Sequence, residues 1–306
     1  MNPYSLRSGL LALCVTAFAL TGAAADKIRV IATIPDLADI CRQVGGDLVN
    51  VESLATGAED PHSIPMKPSF VSKLNRCDVL LHMGMDMEHA FLPGLLEAAR
   101  NPRIQFGKPH CIDTSTGLKP LEIPASLDRS LGEVHPHGNP HYNLDPEGGR
   151  LIANNLCDGL CRCYPQHEAV FRAGRDGYLA KLDAKLAELG KLLAPLRGVK
   201  FVSYHNHFPY LAARVGLQSA GTIELRPGVE PTAKHIRDLI QRMKTDGVKL
   251  VIREPQFSEK TPKQIAAQTG ARLITLPIMV GGVPEAKTYL DMLDFNVRTL
   301  VKAAQN

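Results

Sequence analysis

The 306-residue chain is 44% hydrophobic and 22% charged, enough apolar material for one large domain or two ordinary lobes, which excludes an intrinsically disordered chain. Its formal net charge of +4 comes with no basic run, so charge gives no reason to expect a nucleic-acid partner.

Residues 1–25 stand apart. Arg7 is followed by the apolar run LLALCVTAFAL and then by Ala23-Ala24-Ala25, an A-x-A pattern, before Asp26. This pattern predicts a secretory signal cleaved after Ala25, because the apolar run is too short to span a bilayer. Leu13 precedes Cys14 and apolar sequence continues beyond it, which argues against a lipid anchor there. Export to an oxidising compartment makes the remaining cysteines, Cys41, Cys77, Cys111, Cys157, Cys161 and Cys163, candidates for disulfides. The spacing does not choose among the pairings. A thiolate metal site on Cys157, Cys161 and Cys163 is the rival, although it lacks a C-x-x-C pair.

From residue 26 the chain alternates. KIRVIATIP reads as a strand, and DLADICRQVGG as a helix with Asp36 as N-cap and Gly45-Gly46 as its stop. VNVESLA is a strand, SFVSKLNR a helix, DVLLHMG a strand, LPGLLEAAR a helix and RIQFG a strand. This rhythm predicts a parallel sheet with helices on its faces over residues 26–165. Over residues 166–195, Phe171, Tyr178, Leu182, Leu186, Leu189 and Leu193 recur at helical spacing, and Pro195 and Gly198 end the pattern. A helix of that length spans roughly 40 Å and would act as a strut along both lobes. Residues 196–306 repeat the alternation: VKFVSYH, LQSAGTIE, VKLVIREP and ARLITLP as strands, with helices between them and a closing helix, KTYLDMLDFNVRTLVKAAQ. The expected architecture is α/β, with two lobes joined by one long backbone helix and a ligand cleft at the carboxyl ends of the strands.

Histidines and a carboxylate fall at those strand ends. His62 follows the second strand behind Asp60-Pro61. His141 precedes a helix starting near Pro146. His205 and His207 follow VKFVSY, and Glu254 ends VKLVIR. Three imidazoles and one carboxylate suit a tetrahedral zinc shell, whereas manganese prefers oxygen-rich sites. A lone loop histidine is more often solvated or part of a turn. His207 competes with His205, or begins the next helix.

The order EDPHSIPMKPS, GNPHYNLDPEGG, VSYHNHFPYLAARVGL and VKLVIREPQFSEKTPKQIAAQTG, behind a signal peptide, resembles the zinc and manganese solute-binding proteins of bacterial ABC transporters, in particular the periplasmic zinc-binding type. The resemblance covers essentially the whole mature chain. It implies metal ligands at His62, His141 and His205, and histidine at the third position is similar to the zinc-binding members. It also implies Zn²⁺ as transported ligand, with Mn²⁺ the weaker fit, an ABC transporter membrane permease as partner, a periplasmic metallochaperone as a further partner, a monomer, and no enzymatic activity. The family's usual aspartate after the last strand is missing: LITLPIMVGGVP has Pro277 about where it is expected. Glu254 is then the favoured fourth ligand, with His207 or water as alternatives, and Asp60 orients an imidazole or its loop. His135 and His137 lie where zinc-binding members carry a histidine-rich loop. They read either as accessory metal collectors or as a polar lead-in. The competing readings of function are a manganese or iron receptor of the same class and a secreted zinc hydrolase with Glu254 as general base. No H-E-x-x-H or G-x-S-x-G supports the hydrolase.

Overall fold

A computed structural model describes residues 26–125, 135–225 and 228–305. The signal peptide expected over residues 1–25 lies outside them, as do residues 131–134 of the histidine-containing lead-in.

The first half runs β1 (Ile28–Ala32), α1 (Pro35–Gly45), β2 (Val49–Ser53), α2 (Pro68–Arg76), β3 (Val79–His82), α3 (Leu92–Ala99) and β4 (Cys111–Asp113). Its sheet has the order β2-β1-β3-β4 and every pairing is parallel, with Ile31 opposite both Glu52 and Leu80 and Leu81 opposite Ile112. The second half repeats the plan with β5 (Lys200–Ser203), α6 (Pro209–Val215), β6 (Gln218–Thr222), α7 (Ala233–Asp246), β7 (Leu250–Arg253), α8 (Lys260–Thr269), β8 (Arg272–Thr275) and α9 (Tyr289–Gln305). Its order is β6-β5-β7-β8, again parallel throughout. The α/β class with helix-flanked parallel sheets agrees with the sequence pattern. Strands buried on both faces explain the near-continuous apolar runs such as VLL of β3 and LVI of β7.

One element differs from expectation. RIQFG forms turns rather than a strand, and the edge strand is supplied by Cys111–Asp113. Pro102, Gly107 and Pro109 break the ladder there, although Ile104 still buries its side chain. The expected helix beginning at Pro146 and the long connecting helix after it both form. α4 (Pro146–Cys163) opens on Asp145, whose side chain accepts the Glu147 N–H at 3.1 Å, and it stops before Pro165. α5 (Glu168–Gly190) then runs about 35 Å back along it. Phe171, Tyr178, Leu182 and Leu189 of the apolar stripe are buried, with Leu186 partly so. Gly174 interrupts the stripe because α1 lies against it: a Cβ there would stand 2.2 Å from the Val44 carbonyl oxygen.

The six cysteines among the described residues are free thiols in place of the expected disulfides. Cys157 and Cys161 are one turn apart on α4 with sulfurs 4.0 Å apart, well beyond a bond of about 2.05 Å. Cys163 turns away to the Pro109 carbonyl, so the three do not form a thiolate site either. Burial pushes the Cys41, Cys77, Cys111 and Cys157 thiols up to about 12, which keeps them protonated and unreactive.

The halves are not hung on a free hinge. One hydrophobic core runs from Val30 and Leu80 of the first sheet through α4, α5 and α9 to Leu250 and Ile252 of the second. Asp36 does not cap α1; Ile34 holds that position. Instead the Asp36 carboxylate is buried and accepts from Asn143 Nδ2 (3.1 Å) and from the Val280 N–H of the second half (3.0 Å). Asn143 Nδ2 also donates to the Ile278 carbonyl, and the Tyr289 hydroxyl donates to the Asn143 carbonyl at 2.6 Å. Above this tie, a Cβ on Gly57 would stand 2.3 Å from the backbone at Val280–Gly282, so only glycine lets the two loops meet.

Burial raises the Asp36 carboxyl to about 7, against the pull of its two N–H donors. A carboxyl raised in the folded state stabilises fully below its unfolded value near 4, and that contribution is lost as pH rises through the folded value. Between pH 5 and 7, wild type should therefore lose stability relative to Asp36→Asn at up to about 1.4 kcal/mol per pH unit, and the difference should level above 7. Urea unfolding of both proteins across that range checks it, and parallel pH profiles would refute it.

Candidate metal centre

Both sheets present their carboxyl ends to the same space, and four imidazoles meet there. His62 arrives on the loop after β2, His141 on the turn before α4, and His205 and His207 on the segment leaving β5. One ring nitrogen from each lies within 4.8 Å of all the others, and all four residues are buried. The Nε2 atoms of His62 and His141 are 2.8 Å apart, and ring centroids are separated by 4.3 Å (His205–His207) to 6.2 Å (His62–His207). Tetrahedral zinc with bonds of about 2.0–2.1 Å holds its nitrogens roughly 3.3 Å apart, so small ring rotations bring this cluster onto one ion.

Oxygen atoms behind the rings aim them. Asn139 Oδ1 takes the His141 Nδ1–H at 2.9 Å and the His141 backbone N–H at 3.0 Å. Glu224 Oε2 takes His205 Nδ1–H at 2.9 Å, and Glu254 Oε1 takes His207 Nδ1–H at 2.7 Å. An acceptor at Nδ1 fixes the proton there and leaves the Nε2 lone pair for a metal. The Nε2 of His207 is buried without a hydrogen bond, as expected of such a ligand atom. Burial first, and then the neighbouring imidazoles, hold His62, His141 and His207 well below the ordinary imidazole range, so these rings are neutral donors at neutral pH.

Glu254, the fourth ligand favoured from the sequence, lies directly behind this cluster. Its Oε1 accepts from His207 Nδ1 and from the His205 N–H (3.2 Å), and the fourth residue of the grouped nitrogens is His207. The carboxylate is fully buried, its Oε2 has no hydrogen bond, and burial pushes it well above the usual carboxylate range. Asp60 holds the loop rather than a ring: Oδ1 accepts the His62 backbone N–H at 3.0 Å, and Oδ2 accepts from Ser63. His135 and His137 part company. His135 packs 5.1 Å from the His62 ring and burial pushes it down to about 4, whereas His137 is exposed. Of the remaining histidines, His82 is buried against Phe106, and His89 Nδ1–H donates to the Asp86 carbonyl.

Glu224 and Asn139 were not found from the sequence. Glu224 stands just past the end of β6, as Glu254 does past β7. That shared position was the available signal, but its value depends on β6 and β7 flanking β5, which only the sheet order reveals. Two cavities open onto the cluster. One of about 610 Å³ is lined by Glu122, His135, Asn139, His141, His205 and Glu224. The other, about 370 Å³, reaches His62 and His205 past Asp60 and His89. Among the described residues, no helix is long and apolar enough to cross a membrane.

Comparison with known proteins supplies context. A family profile described as "ZnuA: Zinc-uptake complex component A periplasmic" matches residues 30–303. A putative metal-binding protein of Treponema pallidum is 24% identical over 284 residues, covering 91% of this chain and 87% of its own length. The zinc-binding lipoprotein AdcA of Streptococcus pneumoniae is 24% identical and covers 96% of this chain, which spans 59% of AdcA. The high-affinity zinc uptake system protein ZnuA of Brucella abortus is 32% identical over 43% of this chain and 40% of its own length. Among solved structures, a crystal structure of ZnuA superposes with a TM-score of 0.77 at 26% identity, covering 91% of this chain and all of that one. A zinc-bound ZnuA deletion mutant gives 0.76 at 28% identity, covering 91% and 98%.

Replacing Glu224 by Gln should weaken metal affinity about 10–100-fold, because an outer acceptor that orients a ligand typically contributes that much. Competition against a chelating dye measures it. Wild-type affinity in the variant would remove Glu224 from the site.

Proposed function

The chain belongs to the family of the periplasmic component A of zinc-uptake complexes, and on that premise we propose that it is a periplasmic receptor that binds Zn²⁺ through His62, His141, His205 and His207 and delivers it to the membrane permease of an ABC transporter. The observation that carries this reading is the buried, all-nitrogen donor set. Neutral imidazoles suit zinc, whereas Mn²⁺ seeks carboxylate, carbonyl and water oxygens. The nearest carboxylates, Glu224 and Glu254, sit one layer out, where they orient rings rather than contact the ion.

Four imidazoles also complete a tetrahedral shell, which leaves no position at which a bound water could be activated. That favours cargo over catalysis and disfavours the hydrolase reading. Asp60 in this proposal holds the His62 loop. His135, beside His62 at the edge of the cluster, is the accessory residue, and exposed His137 contributes at most to capture from solution. Export through the leader at residues 1–25, action as a monomer, and loading by a separate metallochaperone complete the proposal. Residues 26–165 and 196–306 act as the two lobes, with residues 166–195 as the linking backbone.

Alanine at His62, His141, His205 or His207 should each lower zinc affinity by at least about 100-fold, since each removes one of four bonds to the ion. Glu254→Ala should cost less, about 10–100-fold, because it acts through His207. Zinc competition titrations, run beside Mn²⁺ titrations of the wild type, measure both. If His207→Ala binds zinc like wild type while Glu254→Ala abolishes binding, the fourth ligand is Glu254. Preference for Mn²⁺ over Zn²⁺ in the wild type would overturn the zinc assignment.

A further inference from the structure

Among the described residues, four other than glycine have positive φ: Met85, Asp86, Arg100 and Glu122. Arg100 ends α3, and Met85 and Asp86 form the turn before Glu88. Glu122, at φ 56°, ends no helix. A side chain with a Cβ adopts this left-handed conformation only when surrounding contacts hold it there. The contacts holding Glu122 are at its carboxylate: Oε2 accepts from Asn139 Nδ2 at 3.1 Å and from Asn206 Nδ2 at 2.7 Å.

Those two asparagines belong to opposite halves and to the metal centre itself. Asn139 Oδ1 aims His141, and Asn206 lies between His205 and His207. Asn139 Nδ2 also donates to the Asn206 carbonyl at 2.9 Å. Tyr210 adds a second tie: its hydroxyl donates to the Asn139 carbonyl at 2.8 Å and accepts the Leu121 N–H at 3.1 Å. Glu122 lines the roughly 610 Å³ cavity through which His141 and His205 are reached.

We propose that Glu122 is a positioning residue that clasps the two halves over this cavity and so sets the rate at which the metal enters and leaves. The inference rests on the zinc-receptor reading above. It assigns the carboxylate no contact with the ion. Its two bonds hold Asn139 and Asn206 in the places that keep His141 and the His205–His207 segment facing each other, and metal exchange requires that pairing to part.

The test is stopped-flow release of zinc from the loaded full chain into excess chelating dye, with thermal melting of the metal-free protein alongside. Glu122→Ala should release zinc about tenfold faster or more, the usual consequence of losing hydrogen bonds to a charged acceptor. Glu122→Gly, which relaxes the backbone but also lacks the carboxylate, should release equally fast even where its melting temperature matches wild type. Glu122→Gln keeps an acceptor oxygen and should release close to the wild-type rate. Wild-type release from both the Ala and Gly variants overturns the clasp, as does a Gly variant restored to the wild-type rate, which would mean that strain alone mattered. A wild-type protein that takes up no zinc removes the receptor reading and the clasp together, whereas normal uptake with unchanged release removes the clasp alone.

Discussion

Four imidazole rings share one buried space, and three of them are held neutral there. Protonating His62, His141 or His207 would meet both the cost of losing water and the repulsion of neighbouring rings, and these two effects, in that order, depress all three. The same arrangement leaves lone pairs converging with no proton between most of them. Such a cluster is electrostatically satisfied by a cation and by little else. The outer oxygens of Asn139, Glu224 and Glu254 complete the constraint, since each takes the proton on Nδ1 and directs Nε2 inward.

The scaffold exists to keep those outer oxygens in place. In the second sheet β5 runs between β6 and β7, so the segment carrying His205 and His207 emerges flanked by the ends of both neighbours. Glu224 from one side and Glu254 from the other then reach the two rings from residues immediately beyond their strands. Parallel strands deliver all these termini to the same edge, which is why ligands of open α/β sheets collect there.

The ties between the halves come from the same region. The loop after β8 does not reach the cluster with a carboxylate. Its backbone instead packs on Gly57, donates the Val280 N–H to Asp36 and accepts at Ile278 from Asn143. Asn143 lies two residues beyond His141, so the tie between halves and the aim of a cluster histidine belong to one short segment. A shared apolar core along α5 and α9 joins the halves as well.

The sequence by itself determined a great deal. Period-two and period-3.6 apolar patterns placed nearly every strand and helix, because burial demands them locally. Histidines next to Asp-Pro, Asn-Pro and strand ends marked His62, His141 and His205. It misplaced the edge strand at RIQFG, where Pro and Gly turn the chain while Ile104 still buries. It also read oxidised cysteines where the fold keeps thiols apart, since bridge geometry depends on distances that spacing does not encode. Only the tertiary structure brings His207 beside the other three rings with Glu254 behind it, and only it places Glu224, Asn139 and Glu122 next to them. Those placements depend on which strands are neighbours and on which atom of a side chain faces inward. A carboxylate just past a strand end looks the same in sequence whether it would touch an ion or hold the ring that does.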